Sequence, residues 1–454
     1  MNTPSLKTLA LAALLGTLAF APSARADMLS RSAAPPPIET WTPASSVPTL
    51  ASLKKYYDIP NFRIGGTYDL DADPETWRDG GDGGTTLESL GMGPLKTAYI
   101  DMGTPIRNEK GEIINAVIVS PHYSGDSAAS FSIWAPMASN ALAGGTPVIG
   151  PGLVIDTNKY YVVFLDAIGL WGASKPSEGL GRKFPQYSYF DMVQANYQLL
   201  RDHLNVANVD LAFGASMGAT QSWVWGVMYS PSGFVDAIMP IGGTTASDGA
   251  DPIGQWTFRL AQAAIESDPV YRETGGNFYD LPADQHPKQG LQFLWSILQQ
   301  TGFTFEYRSA QPWSQVEREV FFWEPTGNQT AAWLVRTQSE DPNDYWYRNA
   351  GGWNYNINDE LHRIKARTLV IHIDNDNWLM VQNALESARK VPGAGFLSFP
   401  DPTAHYGVFK APNVLHDQVK SFVDNTALVS IQAPGSGGGG GGAAPAAKPA
   451  GLSK

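Results

Sequence analysis

No cysteine occurs among the 454 residues. That absence excludes disulfide bonds, thiolate zinc sites and a cysteine nucleophile, and it leaves stability to a core that a chain of this length is able to build. Charge is sparse as well: Asp, Glu, Lys and Arg make up 16% of the residues, and acids exceed bases to give a formal net charge of −12. No run of Lys and Arg interleaved with aromatics breaks that acidity. Such a surface repels phosphate backbones, so nucleic acid is excluded as a partner and anionic membranes are disfavoured. The sequence also lacks an H-E-x-x-H zinc helix, a phosphate-cradling glycine loop and a dinucleotide fingerprint with its following acid. It therefore implies no metal and no cofactor.

Long apolar runs are missing except at the start. Lys7 precedes an apolar stretch at 8–21 (TLALAALLGTLAFA), and Ser23-Ala24-Arg25-Ala26 stands ahead of Asp27. A basic residue, an apolar stretch too short to span a bilayer comfortably and an A-x-A site are the three parts of a secretory signal, so residues 1–26 are expected to be removed on export. Loss of Lys7 and Arg25 takes the net charge to −14. Residues 27–60 are rich in Pro, Ser and Ala and read as an extended arm, and residues 433–454 (APGSGGGGGGAAPAAKPAGLSK) as a disordered tail.

Between these ends, strand-like and helix-like runs alternate. Short continuous apolar runs at 116–120 (AVIVS), 160–165 (YYVVFL), 209–213 (VDLAF), 237–241 (AIMPI) and 368–373 (TLVIHI) have the pattern of parallel strands buried on both faces. Residues 191–204 (DMVQANYQLLRDHL) carry helical spacing with Asp191 as N-cap. The alternation predicts an α/β fold with a mostly parallel, doubly wound sheet. It breaks at 245–360, where no strand pattern appears and aromatics crowd: Phe303, Phe305, Tyr307, Trp313, Phe321, Phe322, Trp323, Trp333, Tyr345, Trp346, Tyr347, Trp353 and Tyr355. An inserted, mainly helical cap explains the break, with core segments at 61–244 and 361–432. Acids at 69–82 (Asp69, Asp71, Asp73, Glu75, Asp79, Asp82) invite a calcium loop, but Pro74 and Gly80 stand where an EF-hand needs Gly and Glu.

Gly214-Ala215-Ser216-Met217-Gly218 follows the run 209–213 and precedes the helix-compatible run 219–228. A serine held on a sharp strand-to-helix turn needs glycines two residues either side, and the turn aims the following N–H, here that of Met217, at a developing oxyanion. A serine hydroxyl also needs an imidazole to take its proton. His405, in a loop after the strand-like GFLSF, is the candidate base, whereas His416 falls in a helical C-terminal run. Asp374 and Asp376 both follow 368–373 and both qualify as the acid that orients the histidine. The loop after 116–120 offers the Tyr123 N–H as second oxyanion donor, and His122 beside it is read as structural.

IGPGLVIDTNKYYVV, FPQYSYFDMVQAN, GASMGATQSWVW with Gln221 after the turn, and TAHYGVF, in that order, resemble the homoserine O-acetyltransferase family of the α/β-hydrolase superfamily. The resemblance runs over about 116–244 and 368–409. It implies an α/β-hydrolase fold, a ping-pong mechanism in which the serine is acylated and then relieved by an acceptor, and Asp376 as the strand-end acid. Two departures bear on substrate. The family places Asp after the catalytic histidine to bind the amino group of homoserine, and Tyr406 stands there; Gln262 replaces a carboxylate-binding Arg, with Arg259 about one turn away. A zwitterionic amino acid would meet unmatched groups. The expected activity is therefore that of an exported serine esterase on a small-molecule ester or acyl donor, its pocket bordered by Gln262, Tyr406 and the cap aromatics. The alternatives are an O-acyltransferase with another acceptor and an inactive binding protein on the same fold.

Overall fold

The computed structural model describes residues 48–136, 146–248, 252–312, 340–353 and 355–425. The expected signal at 1–26, most of the Pro-rich arm, the tail at 433–454, and Trp313, Phe321, Phe322, Trp323 and Trp333 lie outside the described residues.

Continuous apolar runs become strands whose alternate side chains feed two cores. In β3 (Ala116–Ser120) every residue is buried. Ala116 and Ile118 join one apolar cluster with Val163, Leu165 and Ala212. Val117 and Val119 join the other with Val162, Phe164 and Phe213. Side chains alternate across a strand, so a sheet covered on both faces needs this unbroken hydrophobicity. The eight-stranded sheet has the order β1-β2-β6-β3-β7-β8-β9-β10. Its strands are β1 (Lys55–Ile59), β2 (Leu95–Met102), β3, β6 (Tyr161–Leu165), β7 (Val209–Ala215), β8 (Ala237–Ile241), β9 (Arg367–Ile373) and β10 (Gly395–Phe399), while the two-residue β4 (Ile149–Gly150) and β5 (Ile155–Asp156) pair separately. β1 pairs antiparallel with β2 and β2 with β6; the remaining neighbours are parallel.

Three local differences from the sequence expectation have physical causes. Lys55–Ile59 falls in the Pro-rich arm by composition, yet it forms the edge strand, with Ile59 buried and Tyr56 exposed. The helix expected from Asp191 begins earlier, as Tyr189–Gln198, and its N-cap is Ser188. Asp191 is instead the third residue of a capping box: its Oδ2 accepts from the Ser188 N–H at 2.7 Å, and the Asp191 N–H donates to Ser188 Oγ at 3.3 Å. Burial pushes the Asp191 carboxyl up to about 6, although Ser188, Tyr68 and Gly65 all donate to it. Third, β7 runs two residues past the expected end, directly into the serine turn.

Between β8 and β9 the described chain is helical: α1 (Pro252–Ser267), α2 (Pro269–Thr274), α3 (Gln289–Thr301), α4 (Phe305–Ser309) and α5 (Pro342–Trp353). Leu291, Leu294, Trp295 and Leu298 make the buried stripe of α3, and Ala261, Ala264 and Ile265 that of α1. Rings from these helices reach the loop after β3: Tyr123 lies 5.6 Å from Tyr345, 6.4 Å from Phe258 and 6.5 Å from Trp295. The inserted helices thus pack over the carboxyl end of the sheet. Among the described residues no helix is long and apolar enough to cross a membrane.

Candidate active site

Ser216 occupies the single position between β7 and the helix Met217–Tyr229, with φ 58° and ψ −122°. A side chain in that region costs of order 1–3 kcal/mol, which surrounding structure must hold in place. Two glycines make the turn possible. A Cβ on Gly214 would lie 2.7 Å from the Gly218 carbonyl carbon and from Ser120 O, and one on Gly218 would lie 2.3 Å from Ser120 O. The turn is pinned from β8 by the Ser216 N–H donating to Ile241 O at 2.9 Å.

The chain brings His405 and Asp376 to this serine. Ser216 Oγ lies 2.8 Å from His405 Nε2, and His405 Nδ1 lies 2.6 Å from Asp376 Oδ2. All three side chains are buried. The other Asp376 oxygen accepts the N–H groups of Trp378 at 2.8 Å and Leu379 at 3.0 Å. Burial opposes ionisation of Asp376, but the charge and hydrogen bond of His405, with the neighbouring His372 and the Leu379 N–H, outweigh it and hold the carboxyl below its usual range. The acid is thus ionised whenever it faces the imidazole at neutral pH. Asp374, equally open on spacing, does not reach His405, and its buried oxygens have no hydrogen-bond partner among the described residues.

Strand register explains how two loops far apart in sequence meet. Phe399 of β10 pairs with Ile373 of β9, so both strands end at one level and release their loops side by side. Asn375 then laces the loops together, donating to Asp401 O at 2.9 Å and accepting from the Asp401 N–H at 3.0 Å. Lys410 Nζ closes on the Asp401 carboxylate at 2.8 and 3.0 Å. Ala404, with φ 45°, makes the bend that delivers His405.

Tyr123 and Met217, whose backbone N–H groups are the expected oxyanion donors, both line the cavity at Ser216. Neither N–H has a hydrogen-bond partner among the described residues. The loop carrying Tyr123 is held from several sides. Gln221 Nε2 donates to Pro121 O at 3.1 Å, and Tyr123 Oη donates to Asn349 Oδ1 at 2.8 Å. Burial keeps that phenol protonated by pushing its pKa well above the usual range. Arg348, 1% exposed on α5, donates to Ile168 O at 3.0 Å and Tyr123 O at 3.4 Å and lies 3.2 Å from Met217 Sδ. Beneath the loop, buried Lys54 bridges Asp166 at 2.5 Å and Asp126 at 2.9 Å. Burial opposes the Lys54 charge, but Asp166 and Asp126 raise its pKa and keep it cationic. His122 packs edge-on against Phe409 with ring centroids 5.1 Å apart.

The cavity at Ser216 is small, ≈ 20 Å³, and no charged side chain lines it; Phe258, Tyr189, Trp378 and Leu379 are among its lining residues. Gln262 and Tyr406 do not line it. Gln262 is buried within α1 and Arg259 is exposed. The Tyr406 ring stacks on Phe303 of the inserted region, with centroids 4.5 Å apart and planes at 22°, and its Oη accepts from Gln299 Nε2 at 3.2 Å. Where the resemblance places an amine-binding carboxylate, this chain has an aromatic strut. Arg348, Asn349, Lys54 and Trp378 escaped the sequence reading. Only Arg348 carried a signal, as a lone cation in an aromatic run (YWYRNAGGW).

No family model matches the chain. Its sequence is similar to a protein named probable acyltransferase from Methanothermobacter thermautotrophicus, 24% identical over 68% of this chain and 86% of that one. It is similar to a homoserine O-acetyltransferase from Carboxydothermus hydrogenoformans, 28% identical over 51% of this chain and 59% of that one. An ethyl acetate hydrolase from Pseudomonas veronii is 26% identical over 67% of this chain and 83% of its own length. Two solved structures share the fold. Homoserine O-acetyltransferase from Bacillus anthracis superposes with a TM-score of 0.63 at 18% identity, covering 83% of this chain and 98% of that one. An acetylester hydrolase from Corynebacterium glutamicum gives 0.61 at 21% identity, covering 84% and 97%.

Proposed function

We propose that this chain, an α/β-hydrolase-fold enzyme similar to homoserine O-acetyltransferases and to esterases, is an exported serine esterase acting through an acyl-enzyme on Ser216. One observation carries the reading: a continuous relay in which Ser216 Oγ meets His405 Nε2 at 2.8 Å and His405 Nδ1 meets Asp376 at 2.6 Å. In the first half-reaction His405 Nε2 takes the Ser216 proton as Oγ attacks the ester carbonyl carbon. The Tyr123 and Met217 N–H groups receive the oxyanion, each such donor being worth about 3 kcal/mol in the transition state. The carbon–alkoxide bond then breaks, and His405 returns its proton to the leaving alcohol. In the second half-reaction water loses a proton to His405 and attacks the acyl carbon; the acyl–Oγ bond then breaks as His405 returns that proton to Ser216 Oγ, and the carboxylic acid leaves. Asp376, kept ionised, fixes the imidazole tautomer and stabilises the imidazolium.

The uncharged wall of the small cavity supports a short, neutral acyl group, and the Tyr406 strut in place of a carboxylate supports water over homoserine as acceptor. Similarity to acyltransferases favours a second reading, transfer to another alcohol. Steady release of nitrophenol from p-nitrophenyl acetate, abolished in Ser216→Ala, is the result expected of the first; no release and no labelling by a fluorophosphonate contradicts both. Added alcohols that divert acyl groups from water to a new ester would establish the second. The basic, apolar and A-x-A segments at 1–26 support export, which predicts that protein recovered outside the cytoplasm begins at Asp27.

A further inference from the structure

Trp378 stands two residues after the triad acid, and its own backbone N–H bonds back to Asp376 at 2.8 Å, which folds its indole over the histidine. The Trp378 and His405 ring centroids are 4.9 Å apart with planes at 51°. The indole lines the cavity with Ser216, Met217, Tyr123 and Phe258. Trp378 is 7% exposed, yet its indole N–H has no hydrogen-bond partner among the described residues. Other indoles of the chain show what is missing: Trp134 donates to Phe409 O at 3.2 Å, Trp171 to Ser124 O at 2.9 Å and Trp77 to Asp69 O at 3.0 Å. Trp225 is also unpaired, but it lies wholly inside the core against Tyr229 and Phe234 and lines no part of this cavity.

A buried donor left without a partner destabilises the fold, and an indole is able only to donate. The indole ring lines the cavity while its nitrogen is itself closed off, so a substrate oxygen gains this bond as the small cavity widens around the ester. We infer that the Trp378 indole N–H is a specificity-determining donor to the substrate, and that the enzyme prefers esters whose alcohol carries an oxygen acceptor close to the ester bond. The alcohol side follows from the stack: His405 must hand its proton to the leaving alkoxide, so a ring packed on His405 borders that half of the substrate. The absence of charged side chains from the cavity wall fits a neutral ether or hydroxyl oxygen rather than an anion. This inference rests on the esterase reading for the orientation of the ester, and it deepens that reading by naming the leaving-group class.

The test compares 2-methoxyethyl acetate with butyl acetate, which differ by one oxygen for methylene. Expected is a preference in kcat/KM of about tenfold for the oxygenated ester in the full chain, the size of one hydrogen bond. In Trp378→Phe, which keeps a ring over His405 and removes the donor, the ratio falls to near one. In Trp225→Phe the ratio stays at the wild-type value. A ratio near one in the wild type, or an unchanged ratio in Trp378→Phe, overturns the inference. Calorimetric affinities of Ser216→Ala and of Ser216→Ala/Trp378→Phe for the same two esters give an answer that needs no turnover. A preference in binding that vanishes with Trp378, beside a wild type that hydrolyses neither ester, would remove the esterase reading and keep the indole contact. Hydrolysis of both esters without preference would do the reverse.

Discussion

The two ends of the sheet differ in a way that cavity size alone misreads. At the amino ends of β7, β8 and β9, Asp210, Asp236, Arg367 and Tyr160 line a cavity of ≈ 440 Å³ together with the end of the last helix. At the carboxyl ends lies the ≈ 20 Å³ space beside Ser216. The larger one has acids that serve structure: Asn208 donates to Asp210 at 2.8 Å and to Asp236 at 3.0 Å, and no nucleophile is paired with a base there. The smaller one has a strained serine, a histidine relay and two uncommitted backbone donors. Parallel sheets collect strand-end loops and helix N-termini at their carboxyl edge, so convergent polar groups, not volume, mark the chemistry.

Breaking the carboxyl edge should have by far the larger effect. Ser216→Ala is expected to lower kcat for p-nitrophenyl acetate by about 10⁴-fold or more, and Asp376→Asn by about 10³- to 10⁴-fold, because the wrong tautomer is then favoured. Asp374→Asn, two residues away, should stay within about threefold; equal losses in the two Asp variants would sink the assignment of the acid. Arg348→Met should cost about 10- to 100-fold in kcat, since it frees the Tyr123 carbonyl from its tether and small misplacements are expensive. Circular dichroism would show whether the fold persists, and an active, folded Arg348→Met would exclude the tether.

Away from both edges, the Asp191 carboxyl is raised by burial to about 6 from the ordinary 3.8 of an aspartate. A group whose folded pKa is raised contributes stability that is complete below the unfolded value and lost as pH rises through the folded one. Wild-type stability should therefore fall relative to Asp191→Asn between about pH 4 and 6, by up to roughly 3 kcal/mol at 1.36 kcal/mol per pKa unit. Urea midpoints across that range check it; a constant gap would show that the capping box, and not the buried charge, governs the site. At the amino edge, Asp210→Asn should leave esterase rates within about twofold.

What could be read from residues alone follows from how local each cause is. The serine turn is legible because its glycines are demanded by backbone atoms within a few residues and by one strand neighbour, and β3, β8 and β9 are legible because strands buried on both faces cannot be polar. β1 was not, since KYYDI is an edge strand with one fully buried residue, which gives no apolar run. The choice between Asp374 and Asp376 needs the direction of a side chain after a turn, which spacing does not hold. Asn375, Arg348 and Lys54 act through partners 26 to 225 residues away, and their roles exist only once the sheet has set its register.

The claim on which the functional reading depends is that Ser216 becomes covalently acylated with help from His405 and Asp376. Intact-mass and peptide mapping of the chain after brief acid quench from p-nitrophenyl acetate tests it directly. The account predicts one acetyl group on the peptide containing Ser216, absent in Ser216→Ala and strongly slowed in Asp376→Asn. Turnover with no adduct there, or an adduct confined to another residue, would contradict it.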